Sequence, residues 1–224
     1  MRSGILACLL LSTATACGGS DEPQEDQGSS ASTTSAASTS GAGEGGGGGE
    51  TGGGSSCTYP TAQLGLSPGD TLDGEREFQV LAPGKSFGTA LKTSSLYDCD
   101  GAKGINAVFI KISAAWCGPC FKMSQEIDQL FETTWQGKGI TVEELLVEDV
   151  SGGPANLSTA ADWRSQTGES SPAYTGIDPG STFDNSFYPF TTLVDPRTMQ
   201  IINQDSDTNF VDLSEVAELA DKNM

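Results

Sequence analysis

The sequence predicts an α/β fold for a single domain over residues 57–224. One observation is the apolar run Ala-Val-Phe-Ile-Lys-Ile-Ser at residues 107–113, whose aromatic and β-branched residues indicate a central strand buried on both faces. Another is an apolar stripe at i, i+4, i+7 and i+8 that predicts an amphipathic helix to about residue 135: Met123, Ile127, Leu130 and Phe131. A domain of 168 residues can bury about 70% of its unfolded surface in one core.

The composition excludes several classes of function. The 224 residues include 30 acidic and 11 basic side chains and no histidine, which gives a net charge of −19. Without histidine, Ser-His-Asp or Cys-His catalysis and histidine-ligated zinc or haem are excluded. The acidic excess also excludes nucleic acid as an expected partner, because affinity for the phosphate backbone depends on lysine and arginine.

The first residues have the pattern of an export signal, with Arg2, an apolar run at residues 5–11 and small polar residues up to Cys17. Cleavage after Ala16 would make residues 1–16 a signal peptide. The Ala-Thr-Ala-Cys sequence that ends at Cys17 resembles the lipobox of bacterial lipoproteins, although alanine replaces the usual leucine three residues before the cysteine. The resemblance implies a lipid on Cys17, and ordinary signal cleavage is the alternative.

The next segment has the composition of a disordered tether. Residues 18–56 contain 13 Gly and 9 Ser and no Val, Ile, Leu, Met, Phe, Tyr or Trp, so they cannot bury a core. Residues 17–56 are therefore expected to be a lipidated Gly/Ser-rich tether with a reach of about 35 Å. The expected location is the bacterial cell envelope, with the domain membrane-anchored in the periplasm or at the surface.

The chemistry of the chain is concentrated in Trp-Cys-Gly-Pro-Cys at residues 116–120, between the predicted strand and helix. A thiolate at Cys117 would be stabilised by the unpaired N–H groups and the dipole of the helix N-terminus, which lowers its pKa. Cys120 would lie one turn along the helix, close enough to form a disulfide with Cys117. Pro119 fits the first helical turn because no N–H donor is needed there.

These elements resemble the active site of thioredoxin, and two downstream segments extend the resemblance. Tyr188-Pro189, followed by Phe-Thr-Thr-Leu-Val-Asp, is similar to the segment where thioredoxin-like proteins place a cis-proline beside the active cysteines. The strand-like residues 140–149, a Gly-Gly-Pro loop and a helix at about 157–166 look like the TlpA-like redoxin branch. Residues 141–144 also fit a helix capping box, so the strand there rests partly on the resemblance.

The resemblance implies a thioredoxin-like fold with a mixed central sheet and helices on both faces. It also implies an N-terminal extension at about residues 57–104 that adds strands. Residues 195–198 are expected to form a hairpin turn, and residues 214–222 a C-terminal helix.

The function implied by the resemblance is thiol–disulfide oxidoreduction on cysteine-containing envelope proteins, with an unidentified electron donor. Cys117 would attack, Cys120 would resolve the mixed disulfide, and Trp116 would shield one side of the dithiol. Pro189 and the backbone of Tyr188 would align the substrate.

No flavin or nicotinamide fingerprint is present, so no cofactor is expected. Gly-Pro between the cysteines is thioredoxin's own pair and favours a reductase. The alternative is a non-catalytic surface or binding lipoprotein with a permanent Cys117–Cys120 disulfide.

Lys111 is a departure from thioredoxin, which has a buried acidic residue six positions before the first active-site cysteine. A base of that kind is therefore expected to be missing. A charged Lys111 near the thiols would lower the pKa of Cys117, which makes it a candidate modulator of that pKa. The alternative is that Lys111 reaches solvent from a strand end.

The remaining cysteines suggest a structural bond. Cys57 and Cys99 can form a disulfide that fastens the extension, and two free thiols or a second redox pair are the alternatives. No metal site is expected, because structural zinc needs four ligands and no second Cys-X-X-Cys pair or histidine is present. Asp205, Asp207 and Asn209 have the alternation of a calcium loop without its glycine and glutamate, so a solvated acidic loop is expected there.

Overall fold

The computed structural model describes residues 57–81, 88–168, 174–178, 183, 187–204 and 211–224. The predicted signal peptide, Cys17, the tether and the acidic loop at residues 205–210 lie outside these residues.

A seven-stranded mixed sheet forms the centre of the domain. Its strands in chain order are β1 Glu77–Leu81, β2 Thr89–Lys92, β3 Ala107–Ala114, β4 Ile140–Glu148, β5 Tyr174–Ile177, β6 Phe190–Asp195 and β7 Gln200–Gln204. The spatial order is β2-β1-β5-β4-β3-β6-β7. β3, β4 and β5 are mutually parallel, and the outer strands pair antiparallel to their neighbours.

The described part of the chain has three α-helices: α1 Gly118–Glu132, α2 Leu157–Thr167 and α3 Leu213–Asn223. A short 3₁₀ helix, Thr93–Leu96, follows β2. None of these helices has the length and apolar character needed to span a bilayer. The order of elements confirms the predicted thioredoxin-like α/β fold, and β1 and β2 are the extra strands of the N-terminal extension.

Most local predictions are confirmed with small changes at the boundaries. Residues 140–148 form a strand in parallel register with β3, so the capping-box alternative for residues 141–144 is wrong. α1 ends at Glu132 rather than near Trp135, with Thr133 as the C-cap. The hairpin turn at residues 195–198 and the C-terminal helix lie where the sequence predicts them.

The α-helices of the described residues all pack on one face of the sheet, whereas the resemblance implies helices on both faces. Phe109 and Val142 pack against α1 and α3, and Leu146 on the same face packs against α2. The opposite face, which includes Val108 and Ile110, is covered by the 3₁₀ helix and by irregular segments of the chain. Both faces of β3 are completely buried, because even the face without α-helices packs against a continuous apolar cluster.

Two sets of contacts fasten the N-terminal extension to the domain. Cys57 and Cys99 are joined in a disulfide with a Cα–Cα distance of 5.8 Å. The Arg197 guanidinium in the β6–β7 turn donates to the carbonyls of Asp98, Ile105 and Asn223 at 2.5, 3.0 and 2.8 Å. Arg197 therefore connects the extension to the end of α3.

Glu143 is an unusual member of the core opposite the α-helices. It is fully buried, and neither carboxylate oxygen has a hydrogen-bond partner. Because burial disfavours the charged form, the pKa of Glu143 is raised well above its usual value of 4.5. Its contribution to stability is present below the usual pKa and is lost as pH rises through the folded-state pKa.

We predict that Glu143→Gln stabilises the protein at pH 8 by about 1 kcal/mol or more relative to the native chain. The gain should shrink as pH falls and be smallest below pH 4.5, where the native carboxyl is protonated in both the folded and the unfolded states. Urea unfolding at several pH values measures the difference, with the exposed Glu218→Gln as the matched control. A gain that is independent of pH, or equal in the control, would contradict the prediction.

Candidate active site

The two cysteines of the motif lie at the first turn of α1 and form a disulfide with a Cα–Cα distance of 5.3 Å. Cys117 is the N-cap of the helix, and its Sγ accepts the backbone N–H of Cys120 at 3.1 Å. Pro119 occupies the first turn, where it leaves no helical hydrogen bond unmade. Cys117 is 4% exposed and Cys120 is completely buried. Cys117, at the helix N-terminus, is therefore the slightly more exposed of the two residues.

Trp116 and Tyr188 form the aromatic surface next to the disulfide. The Trp116 side chain is 54% exposed, and its indole N–H donates to Glu148 Oε2 at 2.6 Å. The two rings meet edge to face with centroids 6.0 Å apart, and Tyr188 also packs against the apolar cluster that contains both cysteines. Burial, and then the charge of Glu148, raise the pKa of Tyr188.

The Tyr188–Pro189 peptide bond is cis, at the position that the resemblance implies. Pro189 immediately precedes β6, whose first residue, Phe190, pairs with Ile112 near the end of β3. The end of β3 also leads into the Cys-Gly-Pro-Cys motif. The structure thus brings Trp116, Cys117, Cys120, Tyr188 and Pro189 to the same edge of the sheet, whereas Cys57 and Cys99 belong to the extension.

Lys111 lies beneath the disulfide and is completely buried, so the alternative that it reaches solvent is wrong. Its ammonium donates to the Cys120 carbonyl at 2.9 Å, to Ser124 Oγ at 2.6 Å and to Glu144 Oε1 at 2.5 Å. Burial lowers the pKa of Lys111, and the Glu144 carboxylate partly offsets this effect.

Glu144 is the residue that the sequence analysis missed. It is opposite Lys111 in the β3–β4 register, and its Oε1 also accepts from Ser124 at 2.6 Å and from the Trp163 indole N–H at 2.9 Å. The expectation that an acidic group is missing is therefore corrected: the neighbouring strand supplies one in the same layer. The available signal was a pair of glutamates within an otherwise apolar strand.

A metal centre has no suitable ligand set among the residues that the structure describes. Within the described ranges, the group of cysteine and acidic side chains near enough to share an ion is Cys57, Cys99 and Asp100. Its two sulfurs are bonded to each other, so they do not offer the thiolates that zinc prefers.

The structure has a thioredoxin-like fold, with a Cys-Gly-Pro-Cys disulfide at the N-terminus of a helix. No protein-family model and no curated protein matches the chain.

Several solved structures do match the chain. One is a protein assigned as the thiol:disulfide interchange protein DsbE from Chlorobium tepidum, at 19% identity and a TM-score of 0.46, covering 69% of this chain and 94% of that one. The thioredoxin domain of a thiol-disulfide oxidoreductase from Bacteroides vulgatus matches at 13% identity and 0.46, over 70% and 98%. The exposed lipoprotein thioredoxin Etrx1 from Streptococcus pneumoniae matches at 14% and 0.46, over 66% and 99%.

The buried ion pair predicts opposite effects for its two members. Lys111→Met leaves a carboxylate without its cation near the dithiol, so the Cys117 pKa should rise and alkylation at neutral pH should slow about threefold to tenfold. Glu144→Gln leaves the cation and should speed alkylation. Iodoacetamide kinetics and thiol titration of the reduced proteins measure both effects.

Loss of one partner of a buried pair also destabilises a protein by about 3–5 kcal/mol, so folding of each variant is checked by circular dichroism. The double variant Lys111→Met/Glu144→Gln is the control, because it removes both charges and should return the rate towards that of the native protein. Equal alkylation rates in all four folded proteins would show that Lys111 has no influence on the thiol.

Proposed function

We propose that this protein is a thiol–disulfide oxidoreductase that reduces disulfides of cell-envelope proteins. The observation that supports this most directly is the unequal placement of the two sulfurs. Both residues are buried, but Cys117 caps the helix, receives a backbone N–H and is 4% exposed, whereas Cys120 is completely buried immediately behind it. This arrangement suits an attacking thiolate and a protected resolving thiol.

In the proposed reaction the Cys117 thiolate attacks one sulfur of a substrate disulfide. The substrate S–S bond breaks, one substrate thiolate leaves, and a mixed disulfide forms on Cys117. Cys120 then loses its proton and attacks Cys117 Sγ, which forms the Cys117–Cys120 disulfide and releases the second substrate thiolate. Two electrons pass to the substrate, and a dithiol donor must return them to the protein. Cysteine chemistry alone is sufficient for this cycle.

The aromatic surface and the cis-proline segment are the proposed substrate platform. Trp116 would cover one side of the sulfur pair, since its indole is fixed by Glu148. Tyr188 and Pro189 lie at the same sheet edge as Cys117, where an extended substrate segment could align against their backbone.

The first functional prediction is that the reduced protein catalyses insulin reduction in the presence of dithiothreitol. Although Cys117 is only 4% exposed, it lies at the N-terminal end of the helix, where its thiolate is stabilised. Turnover is followed by the turbidity of the released insulin chains. The matched control is Cys117→Ser. Activity no greater than that of the control would instead support a non-catalytic binding protein with a permanent disulfide, an alternative favoured by the burial of both sulfurs.

The same cycle predicts that Cys120→Ser accumulates mixed disulfides with envelope proteins, because the resolving sulfur is lost. Covalent adducts should appear on non-reducing gels and disappear with reductant. An absence of adducts, with Cys117 demonstrably reduced and accessible to alkylation, would contradict catalysis.

The location is also part of the proposal: a lipid on Cys17 anchors the domain to a membrane of the bacterial envelope through the Gly/Ser-rich tether. We predict that Cys17→Ala moves the protein from the membrane fraction to the soluble fraction, because acyl chains supply the proposed affinity for lipid. Detergent-phase partitioning measures the change. Partitioning equal to that of the native chain would exclude this anchor.

A further inference from the structure

A groove beside the disulfide has no part in the reaction steps described above. Its volume is about 130 Å³, and it lies between α1, α2 and the segments that follow β3 and β4. Its apolar lining consists of Ala115, Phe121, Val150 and Trp163. Phe121 and Trp163 meet edge to face with centroids 5.6 Å apart, and both pack in the cluster that contains Cys117 and Cys120. The groove therefore borders the apolar cluster that contains the sulfur pair.

The charged side chains that line the groove are both acidic. Asp149 is held in its loop because its Oδ1 accepts the N–H groups of Ser151 at 2.7 Å and Gly153 at 3.0 Å. Asp162 is exposed on α2. The other lining residues among those described are neutral, so no lysine or arginine of this chain compensates these two carboxylates within the groove.

The volume and the lining of the groove indicate which kind of side chain it can bind. Pockets for drug-sized ligands occupy about 300–1,000 Å³, so a groove of about 130 Å³ suits one side chain. Val150, which is 75% exposed, adds apolar surface at its mouth. An apolar floor with carboxylates above it matches a lysine or arginine, whose alkyl stem packs on apolar surface while its charge stays near solvent.

We infer that this groove binds a lysine or arginine side chain next to the reactive cysteine of the substrate polypeptide. The inference rests on the proposed function and adds a substrate class to it: disulfides of cationic protein segments. The net negative charge of the domain also favours a cationic substrate segment. Six acidic residues and one basic residue precede Cys57, so residues 57–224 carry 24 acidic and 10 basic side chains, a net charge of −14 that attracts cationic partners.

The test uses three peptides with the pattern Gly-X-Cys-X-Gly, where X is lysine, norleucine or glutamate. Each peptide cysteine is activated as a mixed disulfide with thionitrobenzoate. The protein is the mature chain with Cys17→Ala and Cys120→Ser, which leaves Cys117 to attack while Cys57 and Cys99 stay bonded. Attack on the peptide sulfur forms the Cys117–peptide disulfide and releases coloured thionitrobenzoate. Rates are normalised to each peptide's rate with dithiothreitol.

We expect the lysine peptide to react at least about fivefold faster than the glutamate peptide, with norleucine between them, since it fills the apolar floor without a charge. Asp162→Lys in the same background should abolish or invert this order. Glu218→Lys changes the net charge equally but lies on α3, so it should leave the lysine-to-glutamate ratio within about twofold of its original value.

Three results would overturn the inference. Equal normalised rates for all peptides would remove the groove preference while leaving the oxidoreductase function intact. An equal loss of preference in the Asp162→Lys and Glu218→Lys proteins would assign the effect to net charge instead of the groove. No reaction with any peptide, when Cys117 is free by mass spectrometry, would contradict the proposed function together with the inference.

Discussion

The buried ion pair of Lys111 and Glu144 is the constraint on which the geometry around the disulfide depends. A charge inside a protein is costly unless it is paired and hydrogen-bonded. The side chains of Lys111 and Glu144 are 0% and 7% exposed, so solvent does not stabilise their charges. The pair therefore requires polar partners at defined positions. Ser124 supplies one from α1, and the Trp163 indole supplies another from α2. Two strands and two helices are thus joined at one point.

This pair supports the turn that holds Cys117 and Cys120, on the side that faces the centre of the sheet. The Lys111 ammonium donates a hydrogen bond to the Cys120 carbonyl, so the first turn of α1 is held against the centre of the sheet. The outer side of the same turn is built from aromatic surface, with Trp116 fixed by Glu148 and in contact with Tyr188. The sulfurs consequently lie between a polar layer that fixes the backbone and an aromatic layer in which Trp116 is 54% exposed. The acidic groove between α1 and α2 is lined by Ala115, the residue that precedes Trp116.

Local sequence patterns were sufficient for the parts of the fold that depend on neighbouring residues. The apolar run of β3 and the helical spacing of α1 predict the junction that holds Cys117 and Cys120. The Lys111–Glu144 contact could not be predicted in this way, because it depends on the register of two strands that are distant in the chain.

The sequence also did not show which face of the sheet the α-helices cover. Since both faces of β3 are apolar, its pattern shows that each face is covered but does not show by which element. The sequence predicts that α1 runs to about residue 135, whereas the helix ends at Glu132 and Trp135 packs back against Phe131.

The central claim is that Cys117 and Cys120 are a redox pair and not a structural bond. The most direct test is the reduction potential of this pair, measured by equilibration with glutathione or dithiothreitol and quantification of alkylated Cys117 and Cys120. We predict a reversible two-electron transition between about −270 and −180 mV, the range from thioredoxin to protein disulfide isomerase. A Cys117–Cys120 bond that stays oxidised below about −300 mV, as structural disulfides do, would contradict the account.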